Sequence, residues 1–509
     1  MTRSARGGQA WRHQWHQMSG PAKAGYIAST IVTAVAVTIC LSVYGVYRHL
    51  ESNITHITVI GLSHRSIYGV QNLLVLGSQT RDGQGRGFGQ NPSLDTSNSD
   101  NLLLVHLDPT HTHAIVLSIP RDTMVYEPGC KARPGIGYGI WGPYQSAIID
   151  GAMNIGGPSC AVSTVYDLTG IKLDHFIMFD FNSFRAIVDT IGGVEVCVPP
   201  GGYHDPYSHL NLSGGKHLLT YNQALAYVRT RHGVEAEGDI GGDLPRIMLQ
   251  QAFVSSVIQK VDRQNILSNS VELLKIANTA TQALTVDQGL STVSKLLDFA
   301  RSLTYLRPKN VTFITMPTVT DLSVYGRLLP QEPEDDVIFQ MILDGQQWHH
   351  RLPTLPYGHV RVRVLNGTGI AGLAGRTARQ LRNLGFDVIG VGNAPAASTT
   401  TVTYSGTVQA DTAYTLMTAL TATPAAQNLL AEPAPQAGTA GPVTLIIGAD
   451  FEGVNHPSAP RAAHGHKKAS SGSGGGGSNV SLATVQTRNA AANICSGLPK
   501  ANPDPGTPP

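Results

Sequence analysis

Charge is scarce in this 509-residue chain: Asp, Glu, Lys and Arg make up 14%, against roughly a quarter in ordinary proteins. The 36 basic and 34 acidic residues nearly cancel, to a formal net charge of +2. So small an imbalance excludes a generally basic, nucleic-acid-coating protein. Five cysteines are too few for a disulfide-dense mini-scaffold. The chain has no C-x₂-C and no Cys–His pair at finger spacing, so its cysteines carry no zinc signature. It also lacks G-x-S-x-G, H-E-x-x-H and a Walker loop, which argues against the common hydrolases and NTPases. With 55 Gly and 30 Pro it falls below the range of low-complexity chains, and 41% of its residues are hydrophobic. Most of it is therefore expected to fold, as two or three domains.

One long apolar run is present. Residues 25–47 carry no charge, and as a helix they reach about 35 Å, enough to span a bilayer core. The flank before them holds Arg3, Arg6, Arg12 and Lys23 and no acid. The positive-inside rule then places residues 1–24 in the cytoplasm and everything after the span outside. A cleaved signal peptide is the alternative, but the run exceeds a signal core and no A-x-A site ends it. Outside the cell disulfides persist. Cys130, Cys160, Cys197 and Cys495 allow three pairings, and Cys40 falls in the span. Cys130 and Cys160 flank a Gly/Pro-rich excursion and are expected to pair, while Cys197 lies in a strand pattern and reads as buried.

After a stalk at 48–70 the pattern becomes apolar runs broken by Gly and Pro. Segments 72–77, 101–107 and 114–120 read as strands buried on both faces, and 193–198 and 311–317 as further strands. Helices are expected at 159–170, 183–193, 220–231, 246–262 and 287–304. This mixture implies a layered α/β domain over 71–318. A connector at 319–358 holds one short helix, a small α/β domain covers 359–451, and 452–509 reads as a flexible linker and tail.

Polar clusters at the ends of buried strands have priority as ligand sites. Arg81 and Asp82 follow the first strand and suit phosphate or metal, or a plain surface loop. Asp100 precedes the second strand, where a turn or cap residue is the ordinary reading. Arg121 follows Pro120 at the end of the third strand. Its guanidinium suits a phosphate or a salt bridge to Asp122 or another acid. Arg229 and Arg231 close a helix without acids, with Arg246 further on. A helix-dipole match accounts for one such charge, but the gathering points to an anionic, diphosphate-like ligand. His111, His113, His464 and His466 lack a third ligand at metal spacing.

The order NLLVLGSQTR, SDNLLLVHLDP, VLSIPRD, LTGIKLDHFIMFDFNSFRAIVDTIGGVEVCV, LTYNQALAYVRTRH and PRIMLQQ, behind a single N-terminal anchor, resembles the LytR-CpsA-Psr family over about residues 70–318. Residues 359–451 look like the LytR C-terminal domain, through VRVLNGTGIAGLAGRTARQL and LIIGADF. The resemblance implies a mixed sheet layered with helices. It also implies an envelope phosphotransferase that moves a glycopolymer from a polyprenyl (undecaprenyl or decaprenyl) pyrophosphate carrier to peptidoglycan or protein. It assigns diphosphate contacts to Arg81, Arg121, Arg229, Arg231 and Arg246, and Mg²⁺ to Asp100 and a second carboxylate. The family's G-S-D-x-R motif reads Gly77-Ser78-Gln79-Thr80-Arg81 here, so an amide stands where an acid is expected and Asp82 is the substitute. Asp100 and Arg121 are the expected catalytic pair. A non-catalytic glycolipid binder and a transcriptional attenuator are the alternatives. The second is opposed by the short cytoplasmic segment, which holds no DNA-binding motif.

Overall fold

The computed structural model describes residues 19–63, 69–78, 99–132, 140–235, 243–264, 270–348, 352–428, 441–455 and 485–501. The apolar run forms a 34-residue helix, Gly20–Asn53. It is the one helix among the described residues long and apolar enough to cross a membrane. Ile31, Val32 and Leu41 on it are more than half exposed, as side chains facing lipid would be. Segment 48–70 is not a free stalk. It completes this helix and then supplies β1 (Thr55–Ile57), which joins the edge of the main sheet.

That sheet also holds β2 (Gln71–Ser78), β3 (Ser99–Leu107), β4 (Ala114–Ile119), β5 (His175–Phe179), β6 (Leu284–Asp287) and β7 (Val311–Thr315). With a tail strand, Thr487–Asn489, the order is β1-β6-β5-β2-β3-β4-β7-tail. The sheet is mixed: β2 pairs antiparallel with β3 and parallel with β5, and β4 pairs parallel with β7. Register explains the apolar runs. Phe176, Leu74, Leu104, Leu117 and Ile314 align across five strands and are fully buried in the main core. Each such side chain contributes about 1.5–3 kcal/mol by leaving water. The next row, Leu73, Val105, Val116 and Phe313, points to the other face. That face is covered, as expected, but its covering helices stand off and leave a cavity.

Helix Leu244–Arg263 spans this face. Gln251 anchors it, its Nε2 donating to Ser118 Oγ and Thr315 Oγ1 at 3.0 Å each. The expected pair Cys130–Cys160 is a disulfide. A Cβ on Gly156 would lie 2.7 Å from the Cys160 Cβ and 2.9 Å from the Cys130 Cβ, so only glycine lets the helix pass the bridge. Cys197 is buried as expected and is bonded to Cys495.

That second bridge corrects the expectation for the tail. By composition residues 485–501 belong with the flexible linker, yet they return to the main domain. Thr487–Asn489 pairs with β7, Lys500–Ala501 pairs with Val234–Glu235, and Tyr203 Oη donates to the Pro499 carbonyl at 2.7 Å. Buried Arg488 donates to the Ser496 and Asn493 carbonyls. The C-terminal unit is a five-stranded sheet in the order Asp387–Asn393, Arg361–Asn366, Val443–Ile447, Thr401–Tyr404, Ala425–Asn428. Helix Glu334–Leu343 joins the two units, its Val337 and Phe339 lying in one core with Leu74 and Leu445.

Candidate active site

β4 ends at Ile119, before Pro120, which has no N–H to continue the ladder, and the chain turns at Arg121. The last turn of helix Tyr221–Arg229 brings Arg229, and the residues after it bring Arg231. Helix Leu244–Arg263 begins with Leu244-Pro245-Arg246, so Arg246 sits in its first turn. Three elements distant in sequence thus converge at one end of the main sheet.

Asp243 organises them. Its carboxylate is 3.3 Å from Arg231 Nε and 4.0 Å from Arg121 Nε, and it accepts from Arg246 Nη2. Asp243 and Arg246 are both buried, at 3% and 4% exposure. Arg121, Arg231 and Arg246 against the carboxylates of Asp243 and Asp122 leave one excess positive charge in a partly dry setting, where an anion is held more strongly than in water. Arg121 also lies 3.6 Å from Asp122, so the salt bridge weighed from the sequence forms alongside the cluster. Asp205 fixes the backbone that carries Arg231. Its Oδ2 accepts from the N–H groups of Arg231 and His232 at 3.1 and 3.3 Å. Arg229 is set apart, its guanidinium 4.8 Å from the centre of the Phe181 ring.

Behind the arginines lies a cavity of about 690 Å³ between the sheet and the covering helices. Arg229, Arg246, Ser78 and Asn101 line its polar end, and Leu107 and Leu306 its far end. Between them the walls are the second row of strand side chains, with Phe253 and Val254 opposite. The site is amphipathic: an apolar chamber with Arg229 and Arg246 at one end and the Arg307–Asp262 ion pair beside Leu306 at the other, suited to a ligand with a long hydrocarbon and an anionic head.

Asp100 reaches the same end. The β2–β3 register slips so that Gly77 pairs with Asn101 and Ser78 with Ser99, leaving Asp100 as the extra residue of a bulge. Its side chain is outside the described residues, as are Gln79, Arg81 and Asp82 altogether. Of the expected arginines, the structure therefore gathers Arg121, Arg231 and Arg246 around Asp243, while Arg229 lines the same cavity as Arg246. Sequence reasoning missed Asp243 and Asp205. Asp243 carried a weak signal, an acid just before a helix-starting Leu-Pro, which reads as a cap. Asp205, in a Pro-containing turn, carried none.

A fit for Mg²⁺ needs hard oxygen donors. Asp243 does not qualify, because its carboxylate already faces three guanidinium groups. The grouping of Glu127 with Cys130 and Cys160 does not either, since both sulfurs are in the disulfide. Asp100 stands on the bulge next to Asn101, which lines the polar end of the cavity, and is a hard-oxygen donor by residue type.

Residues 48–337 match the LytR_cpsA_psr family, and residues 359–451 match the family described as LytR cell envelope-related transcriptional attenuator. The cell wall biosynthesis protein LcpA of Corynebacterium glutamicum is 29% identical over 363 residues, 64% of this chain and 67% of that protein. A polyisoprenyl-teichoic acid–peptidoglycan teichoic acid transferase, TagU of Oceanobacillus iheyensis, is 30% identical over 211 residues, 40% of this chain and 58% of that protein. Among solved structures, a LytR-Csp2A-Psr enzyme from Actinomyces oris superposes with a TM-score of 0.43 at 23% identity, over 58% of this chain and 97% of that one. With more than half of its length matched, from residue 48 to residue 337, this chain belongs to the LytR_cpsA_psr family.

Proposed function

We propose that the protein is a cell-envelope phosphotransferase that moves a glycopolymer from a polyprenyl-pyrophosphate carrier to peptidoglycan, forming a phosphodiester. The observation that carries this is the apolar cavity ending at the arginines around Asp243. The prenyl chain lies against Leu73, Val105, Val116 and Phe253, and the diphosphate meets Arg229 and Arg246 at the cavity end, with Arg121 and Arg231 beside them. Arg81 joins this set by resemblance. The name of the Oceanobacillus relative, a polyisoprenyl-teichoic acid–peptidoglycan transferase, supports the same class.

A sugar hydroxyl of the acceptor attacks the phosphorus that carries the glycan. The phosphoanhydride bond breaks, polyprenyl phosphate departs, and the hydroxyl proton passes to solvent or phosphate. Such transfers demand positioning and charge neutralisation more than covalent chemistry. Asp243 holds Arg121, Arg231 and Arg246 in place before substrate arrives, so little reorganisation is left for the reaction itself. Asp100 and Asp82 would hold Mg²⁺, which when bound neutralises diphosphate charge. The Gly20–Asn53 helix anchors the site at the outer membrane face, with the N-terminus in the cytoplasm.

The test is the full-length protein in nanodiscs with a polyprenyl-pyrophosphoryl oligosaccharide, peptidoglycan oligosaccharides and Mg²⁺. Release of polyprenyl phosphate together with a glycan phosphodiester is expected. Tight donor binding without release would make the protein a glycolipid carrier, and neither binding nor release would overturn both readings.

A further inference from the structure

β4 and β7 are parallel neighbours that end together, at Ile119 and Thr315. The chain leaving β4 gives Arg121. The chain leaving β7 gives at once a hairpin, Thr318–Thr320 paired with Leu328–Pro330. The two exits are tied together. Leu328 N donates to the Asp122 carbonyl at 3.1 Å, and Leu328 bridges Thr123. Asp122 lies 3.3 Å from Arg327 Nη1 on the hairpin and 3.6 Å from Arg121 Nε in the cluster. One carboxylate is thus shared between the hairpin and the candidate site.

The hairpin tip is exposed but ordered. Asp321 Oδ1 accepts from the Ser323 N–H and hydroxyl at 2.7 and 2.5 Å, and the Asp321 N–H donates to the Arg327 carbonyl at 2.8 Å. This frame holds Leu322 at 98% exposure and Tyr325 at 91%. Val324, at 44%, adjoins them. A fixed turn that presents large apolar side chains to water marks a contact surface. Tyrosine is suited to such surfaces because it offers a rigid apolar face with a polar tip at low entropic cost.

We propose that this tip docks the acceptor saccharide. The ring of Tyr325 and the side chain of Leu322 take the apolar C–H face of a pyranose, and its hydroxyl is turned toward the phosphate held beside Arg121. This rests on the phosphotransferase reading given above. The hydrocarbon already has its place in the cavity, and the hairpin borders the arginine cluster from outside it. What the hairpin holds therefore approaches the arginine cluster from outside the cavity that takes the hydrocarbon.

The experiment uses the full-length protein in nanodiscs, with undecorated peptidoglycan oligosaccharide as the varied acceptor. Tyr325→Ala and Leu322→Ser are each expected to raise the acceptor KM about tenfold, with donor KM and kcat at saturating acceptor held. Tyr325→Trp should restore acceptor saturation, since it keeps an aromatic face. An unchanged acceptor KM in both variants overturns the proposal. So does an equal rise in donor and acceptor KM, the mark of a displaced Arg121. Quenching of the Tyr325→Trp fluorophore by bilayer-borne quenchers would make the tip a membrane contact and overturns it too. If the wild type transfers nothing, the phosphotransferase reading fails on its own. Calorimetric titration of the same oligosaccharide then decides the hairpin: binding that Tyr325→Ala loses supports it, and absent or equal binding overturns it.

Discussion

In the five-stranded C-terminal sheet, Val362, Val364, Val402, Val443, Leu445 and Ile447 are all fully buried, while Arg361 and Arg363 on the opposite face are exposed. In the eight-stranded sheet both faces are apolar. Leu74, Leu104 and Leu117 are fully buried on one, and Leu73, Val105 and Val116 border a cavity on the other. The buried acids differ too. Asp243 in the large unit lies among three guanidinium groups. At the junction with the small unit, Glu334 and Asp335 are held above the usual carboxylate range by burial, and Asp336 accepts from Tyr404 Oη. Asp411 is pushed up to about 6 by burial and by Asp344. One unit keeps space and fixed charge for a ligand. The other spends its alternation on close packing, and its Asp411 is inclined to hold a proton.

The sharpest break of this contrast is a matched pair of overpacking variants. Leu445→Trp has no void to enter and should cost about 3 kcal/mol or more, read as a lower denaturation midpoint. Val254→Trp enters the cavity and should leave that midpoint near wild type, while donor lipid binding falls at least about 100-fold. If Val254→Trp unfolds the protein and lipid binding survives in the remainder, the cavity is not the lipid site.

The acids come next, with opposite signs expected. Asp243→Asn removes the carboxylate to which buried Arg246 donates and should destabilise by about 2–3 kcal/mol. It should lower transfer roughly 30-fold, and added inorganic pyrophosphate should restore more of the variant's stability than of the wild type's. Loss of the tail bridge in Cys495→Ser should cost about 2 kcal/mol, seen as protease cleavage near residues 485–501 before the rest of the chain.

The smallest effect is Asp411→Asn. A carboxyl whose folded pKa is raised binds its proton more tightly in the folded state. Its stabilising contribution is complete below the ordinary aspartate range and is lost as pH rises through about 6. Asp411→Asn should therefore raise stability by about 1–2 kcal/mol at pH 7.5 and change little at pH 4, as thermal melts at the two values would show. Equal effects at both values would mean that the carboxyl is not held protonated.

Much of the fold was legible. Strands β2, β3 and β4 read as continuous apolar runs because the sheet is covered on both faces, and the helix end at Gly170 was marked by its glycine. Arg121, Arg229, Arg231 and Arg246 stood out in a chain poor in charge; Arg121, Arg231 and Arg246 converge on Asp243, while Arg229 stacks on Phe181. The tail strand did not stand out. Thr-Arg-Asn has no alternation, and a three-residue edge strand draws its order from β7 and from the bridge to Cys197.

The residues by themselves determined the apolar span, the order of the units, the alternation that assigns each strand side chain to a face, and the supply of arginines. Those are local properties, set by composition and by the two-residue period of the backbone. The tertiary structure alone decided which face is packed and which stays hollow, because that depends on how far helix Leu244–Arg263 stands from the sheet. It alone made Asp243 the shared partner of Arg121 and Arg231, since a pairing across long stretches of chain is fixed by the path of the backbone and not by any spacing within it.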